Sequence, residues 1–434
     1  MEIKFKYGKK GLILSVTDSI RADAMIPSLE PALINPVDEI YHACLDPYMT
    51  QSLLQYFQEF QGKIHDSDDF ICIVISDGTR PVPSKFILQA IDKILQESNI
   101  PDNRIKILIA TGLHRKTTPR EMKQMLGINF LSRFDIINHV ATDMDSLTFL
   151  GKNSFGSSIY LNSVYLNAKI KIITGYVEPH FFAGFSGGRK SVIPGIAGRD
   201  TILSNHSADK IASEFARFGS LKTNPIYLDA QETMKMKEIK PDFVINVCIN
   251  PNHEITKVAA GAYQIHDFLV QYQENLCFFP IRERYDVVVC GNGGYPLDLN
   301  LYQAVKSMAI GELGVKPWGT IIAINECQDS VGQHPEFENL LNSGLTPSQI
   351  THDILSGDID MPDQWEIQVL TRVLKFAEIL VISSMPKEKL GNIGLKFMES
   401  FEAAMQYCVQ KHGQNLSMLI LPEGPQYLPL SKSF

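Results

Sequence analysis

The sequence lacks several features that define specialised classes of protein. Its formal net charge is −8, which argues against a general nucleic-acid binder, because phosphate contacts need a basic surface. No apolar run reaches the ~18 residues that a membrane-spanning helix needs, and no basic segment followed by an apolar run opens the chain. We therefore expect a cytoplasmic protein with no membrane partner.

Cysteines are also few in number. The seven cysteines are odd in number, are scattered along the chain and include no CxxC pair, so we interpret them as buried thiols rather than a disulfide framework. What remains is an ordinary globular composition, 44% hydrophobic and 20% charged over 434 residues. This length is enough for two or three domains with cores of their own.

Short apolar runs alternate with segments of helical periodicity through most of the chain. After a predicted hairpin around GKKG near the N-terminus, the first apolar run is followed by SKFILQAIDKILQES, whose apolar residues lie on one helical face. Strand followed by helix predicts a parallel sheet covered on both faces. The predicted strands are FICIVISD, RIKILIAT, FDIINHV, KIKIITGY, FVINVCIN, YDVVVCGNGG, GTIIAIN, EILVIS and SMLILPEG.

The alternation is interrupted once, at CFFPIRERYD (277–286), where a proline and a charge cluster break the periodicity. We place a domain boundary there, at about residue 280. The sequence thus predicts an α/β protein of two domains, each with a mostly parallel sheet covered by helices. SMLILPEG, the last strand, is compatible with either sheet.

The segment from 174 to 207 combines unusual glycine content with reactive side chains. Six glycines between Gly175 and Gly198 accompany His180, Arg189, Lys190 and His206. Glycine packs nothing and costs backbone entropy, so we interpret these glycines as places where the backbone approaches a ligand. GFSGGRKS resembles a phosphate-binding P-loop, but arginine stands where that motif needs glycine, so nucleotide hydrolysis is disfavoured. A turn with two cations could still hold a phosphate.

Two further loops end neighbouring strands with polar side chains. Asp77 and Arg80 follow the first strand, and His114 follows the second. Each alone is more easily explained as a structural ion pair or a surface histidine. Because parallel neighbours bring their carboxyl ends to one edge, we predict that Arg80, His114 and His180 line one crevice.

In the second half, GNGGYPLDLNLYQAVKSM places polar side chains near a strand end. Gln303 and Lys306 are three residues apart and would share one face of a helix, which suits the binding of a carboxylate. The alternative is an exposed helix start, which the apolar residues on the other faces disfavour.

Taken together, TRPVP, ATGLHR, EPHFFAGFSGGRKSVIPGIAG with NHS, and GGYPLDLNLYQAVK resemble the lactate racemase family that uses a nickel-pincer nucleotide. The resemblance runs from about residue 10 to PEG at 422–424. It implies a cofactor derived from nicotinic acid that holds nickel through two sulfurs and a ring carbon. It also implies accessory proteins that make the cofactor.

The resemblance assigns roles to individual residues. Lys190 would be the covalent tether of the cofactor, His206 the remaining nickel ligand, and His114 and His180 the two catalytic bases. The residues implied to line the cofactor or the substrate are Asp77, Arg80, Gly187, Gly188, Tyr302, Gln303, Lys306 and, on weaker sequence context, Trp365.

The same resemblance implies an active site in the cleft between a cofactor-binding domain, 1–278 plus 414–434, and a substrate-closing domain, 284–410. SMLILPEG would then belong to the first sheet. The implied reaction is inversion of the C2 centre of a 2-hydroxy acid, lactate by default, by hydride transfer through a 2-keto acid. The alternatives are a larger hydroxy acid or an aldonate, a phosphotransferase, and a non-catalytic protein that binds the cofactor. The sequence does not fix the oligomeric state.

Overall fold

The computed structural model describes residues 1–17, 20–27, 29–63, 68–424 and 427–431. The chain forms two compact units. We call them the central unit, residues 29–206 and 215–274, and the terminal unit, residues 1–28, 207–214 and 275–434.

The strands and helices alternate along much of the described chain. In chain order the strands are β1 (Glu2–Phe5), β2 (Leu12–Ser15), β3 (Arg21–Ala24), β4 (Ile71–Ser76), β5 (Ile105–Ala110), β6 (Asp135–Asn138), β7 (Leu147–Lys152), β8 (Ser158–Asn162), β9 (Ile170–Tyr176), β10 (Pro179–His180), β11 (Gly184–Phe185), β12 (Phe243–Ile249), β13 (Ile255–Gly261), β14 (Phe278–Ile281), β15 (Tyr285–Gly291), β16 (Val315–Ile324), β17 (Glu378–Ile382), β18 (Lys396–Phe397), β19 (Ser417–Leu421) and β20 (Leu428–Ser431).

The α-helices are α1 (Pro36–Leu45), α2 (Leu53–Gly62), α3 (Ser84–Glu97), α4 (Pro119–Leu126), α5 (Ile128–Arg133), α6 (Ser163–Asn167), α7 (Arg199–Asn205), α8 (Ala208–Ala212), α9 (Pro225–Thr233), α10 (Ile265–Cys277), α11 (Leu301–Gly314), α12 (Pro335–Leu341), α13 (Pro347–Ser356), α14 (Gln364–Phe376) and α15 (Phe401–His412). Short 3-10 helices cover Asp102–Arg104, Met144–Ser146, Gly188–Ser191 and Lys387–Leu390.

A six-stranded sheet in the order β13-β12-β9-β4-β5-β6 forms the centre of the central unit. Its neighbouring strands are parallel except β13, which is antiparallel to β12. Isoleucine and valine dominate the inner strands because both faces are covered: α1, α2 and α3 pack on one face, and α6, α7 and α9 on the other. The sheet therefore presents the ends of β9, β4 and β5 side by side at one edge.

The terminal unit contains a second six-stranded sheet, in the order β18-β17-β16-β15-β19-β3, in which every neighbouring pair is parallel. The hairpin of β1 and β2 packs its apolar residues against this sheet together with α15. Helix α11 lies on β15 and β16. This arrangement fixes the start of α11 just beyond the carboxyl end of β15.

The predicted fold class is confirmed, since both units are built on parallel sheets covered by helices. The prediction that SMLILPEG returns to the first sheet is wrong. Strand β19 lies between β15 and β3 in the terminal sheet, where Met418 pairs with Val287 on one side and Ala22 on the other. The chain passes between the two compact units near residues 28, 206, 214 and 274.

Among the described residues, no helix is both long and apolar enough to cross a bilayer.

Candidate active site

Three polar loops of the central unit follow adjacent strands of its sheet. Asp77 comes directly after β4, His114 follows β5, and His180 lies four residues beyond β9. Because β9, β4 and β5 are parallel neighbours, their carboxyl ends lie at the same edge. The structure thus brings together the residues that the sequence predicted there.

Asp77 and His114 form a hydrogen-bonded pair. The Nδ1 atom of His114 lies 2.7 Å from Oδ2 of Asp77, while the other carboxylate oxygen of Asp77 accepts from the Thr79 hydroxyl at 2.8 Å. Burial of Asp77 opposes its ionisation, but the charge and hydrogen bond of His114, with help from Arg80 and Thr79, outweigh burial. The pKa of Asp77 is therefore lowered from its ordinary value. An ionised Asp77 accepts from Nδ1–H of His114, which leaves Nε2 of that ring with a lone pair.

Arg80 lies in the same loop. Its guanidinium donates to the Thr79 hydroxyl at 3.1 Å, and the side chain is half-buried. Among the described residues, its guanidinium forms no ion pair with an acidic side chain and bonds to Thr79 instead. Arg80 thus places a positive charge next to the Asp77–His114 pair, where it could meet an anionic ligand.

His180 is held by the small antiparallel pair of β10 and β11, in which it pairs with Gly184. The backbone N–H of Ala183 donates to His180 Nδ1 at 3.2 Å. That Nε2 atom lies 3.3 Å from the amine nitrogen of Lys190. Both ring nitrogens of His180 thus face nitrogen donor groups.

Two glycines shape the turn that carries Lys190. Gly187 and Gly188 have φ angles of +76° and +50°, a region that other residues rarely adopt. A Cβ atom at Gly188 would lie 2.8 Å from Cδ2 of the buried His266, and one at Gly187 would lie 2.8 Å from Cγ2 of Val177. Packing within the protein is thus sufficient to require glycine at both positions.

Arg189 points into the protein rather than toward a ligand. It is 1% exposed, its guanidinium lies 3.9 Å from the centre of the Tyr227 ring, and it donates to the carbonyl oxygen of Ala183 at 3.0 Å. Burial lowers its pKa. The idea of two cations around one phosphate is therefore wrong for Arg189, and Lys190 remains as the cation of this turn.

The ring of Phe182 brings His206 into the same cluster. Its centroid lies 4.6 Å from that of His180 and 5.1 Å from that of His206, and the Lys190 amine lies 5.7 Å from it. His206 directly follows α7 and is buried. The predicted tether, the predicted metal ligand and one predicted base thus surround one aromatic side chain.

Metal binding by the protein alone is not supported in the described part of the chain, where no group of three or more His, Cys, Asp or Glu side chains could hold an ion. A metal beside His206 would need further ligands from a bound organic group. The imidazole of His206 fits a nickel ion held by such a group, because nickel accepts nitrogen and sulfur ligands. The nearby amine of Lys190 could attach the group to the protein.

The remaining predicted residues lie in the terminal unit, around the start of α11. Lys306 donates to the side-chain oxygen of Gln303 at 2.5 Å, and both are half-buried. Tyr302 and Trp365 are each only 7% exposed, and the indole N–H of Trp365 donates to the Tyr302 hydroxyl at 3.2 Å. The predicted helical face of Gln303 and Lys306 is therefore present.

Sequence reasoning missed several polar residues near these groups. In the central unit, the Tyr176 hydroxyl donates to Glu178. In the terminal unit, His334 and Asp363 contact Tyr302. No local motif marks these residues, because their partners are distant in sequence or lie within an apolar strand.

A separate cavity of about 1260 Å³ lies in the central unit, next to α10 and β13. Its lining includes Asp46, Lys222, Tyr227, Asp267 and Glu274, and none of the predicted site residues. Burial raises the pKa of both Asp267 and Glu274. We assign the site chemistry to the strand edge and not to this cavity.

Two family models match the chain. Residues 7–219 match the model described as the lactate racemase N-terminal domain, and residues 282–427 match the lactate racemase C-terminal domain. Together they cover more than half of the chain.

Curated relatives and solved structures agree with this match. A lactate racemase from Thermoanaerobacterium thermosaccharolyticum is 36% identical over 316 residues, 72% of this chain and 73% of the relative. A lactate racemase from Lactiplantibacillus plantarum is 34% identical over 357 residues, 82% of this chain and 83% of the relative.

Among solved structures, the lactate racemase apoprotein from Thermoanaerobacterium thermosaccharolyticum superposes with a TM-score of 0.89 at 30% identity, covering 99% of this chain and 100% of that one. A Thermotoga maritima protein superposes with a TM-score of 0.66 at 18% identity, covering 89% and 99%, and this likeness concerns the fold alone.

Proposed function

The chain belongs to the lactate racemase family, and on that premise we propose that it inverts the C2 centre of a 2-hydroxy acid, with lactate as the first candidate. It is then a racemase, an isomerase. The observation that carries the proposal is the position of two histidines, His114 and His180, at one edge of a parallel sheet, with His114 bonded to Asp77.

Inversion by removal of the α-proton is difficult for such a substrate, because the neighbouring carboxylate disfavours a carbanion. Removal of hydride avoids that difficulty and leaves a planar 2-keto acid, which accepts hydride on either face. The chemistry that a nickel-pincer nucleotide supplies when bound is the reversible acceptance of this hydride. We propose Lys190 as its tether, His206 as its protein metal ligand, and Asp77, Arg80, Gly187 and Gly188 as its surroundings.

The two histidines would manage the substrate's hydroxyl proton. His114, oriented by Asp77, has a free lone pair on Nε2 and accepts the proton from the hydroxyl of one enantiomer. His180, in its protonated imidazolium form, donates a proton from Nε2 to the oxygen when the opposite enantiomer forms, and the ring is left neutral. In the reverse direction the two exchange roles, since each ring starts in the form in which it ended the forward reaction: His114 as imidazolium and His180 as neutral imidazole.

The substrate carboxylate must stay fixed while the planar ketone turns its other face. From the central unit we propose Arg80 as a cation for this carboxylate. In the terminal unit we propose Lys306 and Gln303 as substrate-binding residues, since their amine and amide lie on one helical face. A phosphotransferase is not supported, since Arg189 is buried against Tyr227. We also propose that separate proteins make the cofactor, so the chain expressed alone should lack it.

The test is inversion of enantiopure lactate by the cofactor-loaded protein, followed by chiral chromatography. His114→Ala and His180→Ala should each lower kcat about 10²-fold or more, because general acid–base catalysis contributes about 10²–10⁴-fold. The matched control is His352→Ala, an exposed histidine in α13. Full activity in both site variants would exclude the base assignment.

The tether and the substrate are tested separately. Lys190→Ala should remove the cofactor mass from the intact protein, and an unchanged mass would exclude Lys190 as the tether. A panel of enantiopure 2-hydroxy acids, including larger acids and aldonates, should identify the preferred substrate by kcat/KM. Inactivity of loaded wild-type protein on the entire panel would refute the proposed function.

A further inference from the structure

Four side chains of the terminal unit form a continuous hydrogen-bonded chain beside the start of α11. The indole N–H of Trp365 donates to the Tyr302 hydroxyl at 3.2 Å, and that hydroxyl lies 3.0 Å from Oδ1 of Asp363. Oδ2 of Asp363 lies 2.8 Å from Nδ1 of His334. The chain therefore runs from the buried indole to a histidine that is partly exposed.

Counting donors fixes the direction of each bond. An indole nitrogen only donates and a carboxylate only accepts, so the single proton of the Tyr302 hydroxyl goes to Asp363. Burial, followed by the charges of Glu366 and Asp363, raises the pKa of Tyr302 well above its ordinary value, which keeps that proton in place. In this arrangement neither Tyr302 nor Trp365 has an N–H or O–H left for a carboxylate ligand.

The exposed fractions of these side chains agree with the assignment of donors. Tyr302 and Trp365 are each 7% exposed, whereas the side chain of His334 is 22% exposed. The His334 ring lies flat on the Tyr302 ring, with centroids 3.6 Å apart and an angle of 5°. Its Nδ1 is bonded to Asp363, and none of the described residues forms a hydrogen bond with its Nε2. Nε2 is thus the polar atom at which this chain of bonds ends.

His334 contacts the helix that carries Gln303 and Lys306, the predicted carboxylate-binding pair. Tyr302 and Lys306 are four residues apart on α11, so they share one face of the helix, and Gln303 is bonded to Lys306. His334 stacks on Tyr302, which stands one helical turn before Lys306 on α11.

We propose that His334 is a substrate-binding residue whose Nε2 hydrogen-bonds the carboxylate of the 2-hydroxy acid, and that Tyr302, Asp363 and Trp365 position it. The inference rests on the proposed function and changes it in one respect: Tyr302 and Trp365 act through His334 and do not contact the substrate. In the charged form of the ring both nitrogens donate, one to Asp363 and the other to the ligand.

Two substitutions at His334 separate ligand binding from support of Asp363. His334→Asn places an amide where Nδ1 stands and keeps the bond to Asp363, but it has no group at the Nε2 position. His334→Gln reaches the Nε2 position. We expect His334→Asn to raise KM about 10-fold or more and to change kcat little. The reason is that the lost charge-assisted hydrogen bond would be made equally in the ground state and the transition state. His334→Gln should restore KM to within about 3-fold of wild type, because hydrogen-bond strengths vary by such factors with context.

The controls make the outcomes distinct. His352→Gln carries the same substitution in the exposed part of α13 and should leave KM unchanged. The Kd of racemic lactate, measured by saturation-transfer NMR on the same proteins, should follow KM and needs no turnover. If wild-type protein binds lactate but inverts no 2-hydroxy acid, the proposed function fails while the Kd comparison still decides the role of His334. Wild-type KM and Kd in His334→Asn, or an equal loss in both variants, would overturn the inference.

Discussion

The Asp77→Asn substitution tests how the protein prepares His114, because it changes charge and hydrogen bonding at nearly constant volume. In the wild type, Oδ1 of Asp77 accepts from the Thr79 hydroxyl at 2.8 Å, and Oδ2 faces His114 Nδ1 at 2.7 Å. In the variant the amide oxygen is expected to keep the Thr79 bond. The amide NH₂ then faces Nδ1 and donates to it, so the ring proton moves to Nε2.

The expected loss follows from this change of tautomer. With its proton on Nε2, His114 cannot accept the substrate's hydroxyl proton. The lost bond to a charged group is worth about 1.5–3 kcal/mol, a factor of about 10–150, and an analogous aspartate-to-asparagine change in a serine protease costs about 10⁴. We therefore expect kcat to fall about 10²–10⁴-fold in Asp77→Asn.

Two measurements check this prediction. The first is kcat for inversion in both directions with cofactor-loaded protein, using Asp145→Asn as a matched exposed control. The second is ¹⁵N NMR of labelled histidine side chains, which distinguishes Nδ1–H from Nε2–H for His114. An Asp77→Asn protein that keeps half of the wild-type kcat, or in which His114 keeps its proton on Nδ1, would refute the reasoning.

Three further predictions concern packing, metal binding and pH. Gly188→Ala should lower the free energy of unfolding by about 1–3 kcal/mol, since φ is +50° and its Cβ would lie 2.8 Å from His266; an unchanged urea midpoint would contradict this. His206→Ala should lose nickel, measured by plasma mass spectrometry, while the Lys190 adduct mass persists; full retention of nickel would exclude His206 as a ligand. Burial opposes ionisation of Glu378, but three side-chain donors lower its pKa to about 2. A lowered pKa stabilises the fold above the ordinary value of 4.5, and this contribution is lost as pH falls from there toward 2. Stability should therefore decline over that range, and Glu378→Gln should flatten the decline; parallel curves would contradict it.

The edge of the central sheet was predictable because its strands are continuous apolar runs that end in polar loops. Parallel pairing then brings Asp77, His114 and the His180 loop to one side without any long-range information. The motif residues alone indicate the family, without any knowledge of the hydrogen bonds around them.

Other features depend on contacts that local sequence does not encode. The SMLILPEG run has the pattern of any buried parallel strand, so its sequence does not specify its neighbours. Its position between β15 and β3 depends on long-range pairing. The local sequence around Arg189 predicts a cation exposed in a loop. The guanidinium instead packs on the ring of Tyr227, which is 38 positions further along the chain. His334 and Asp363 come from separate segments, and only the fold places both against Tyr302.

The most direct test of the central claim is inversion of L-lactate by the loaded protein in D₂O, with deuterium at C2 of the product measured by NMR and mass spectrometry. Hydride transfer moves the C2 hydrogen without exchange with solvent, so the D-lactate formed should carry hydrogen and no deuterium at C2. Deuterium that enters C2 in proportion to inversion would show proton abstraction and would contradict the account.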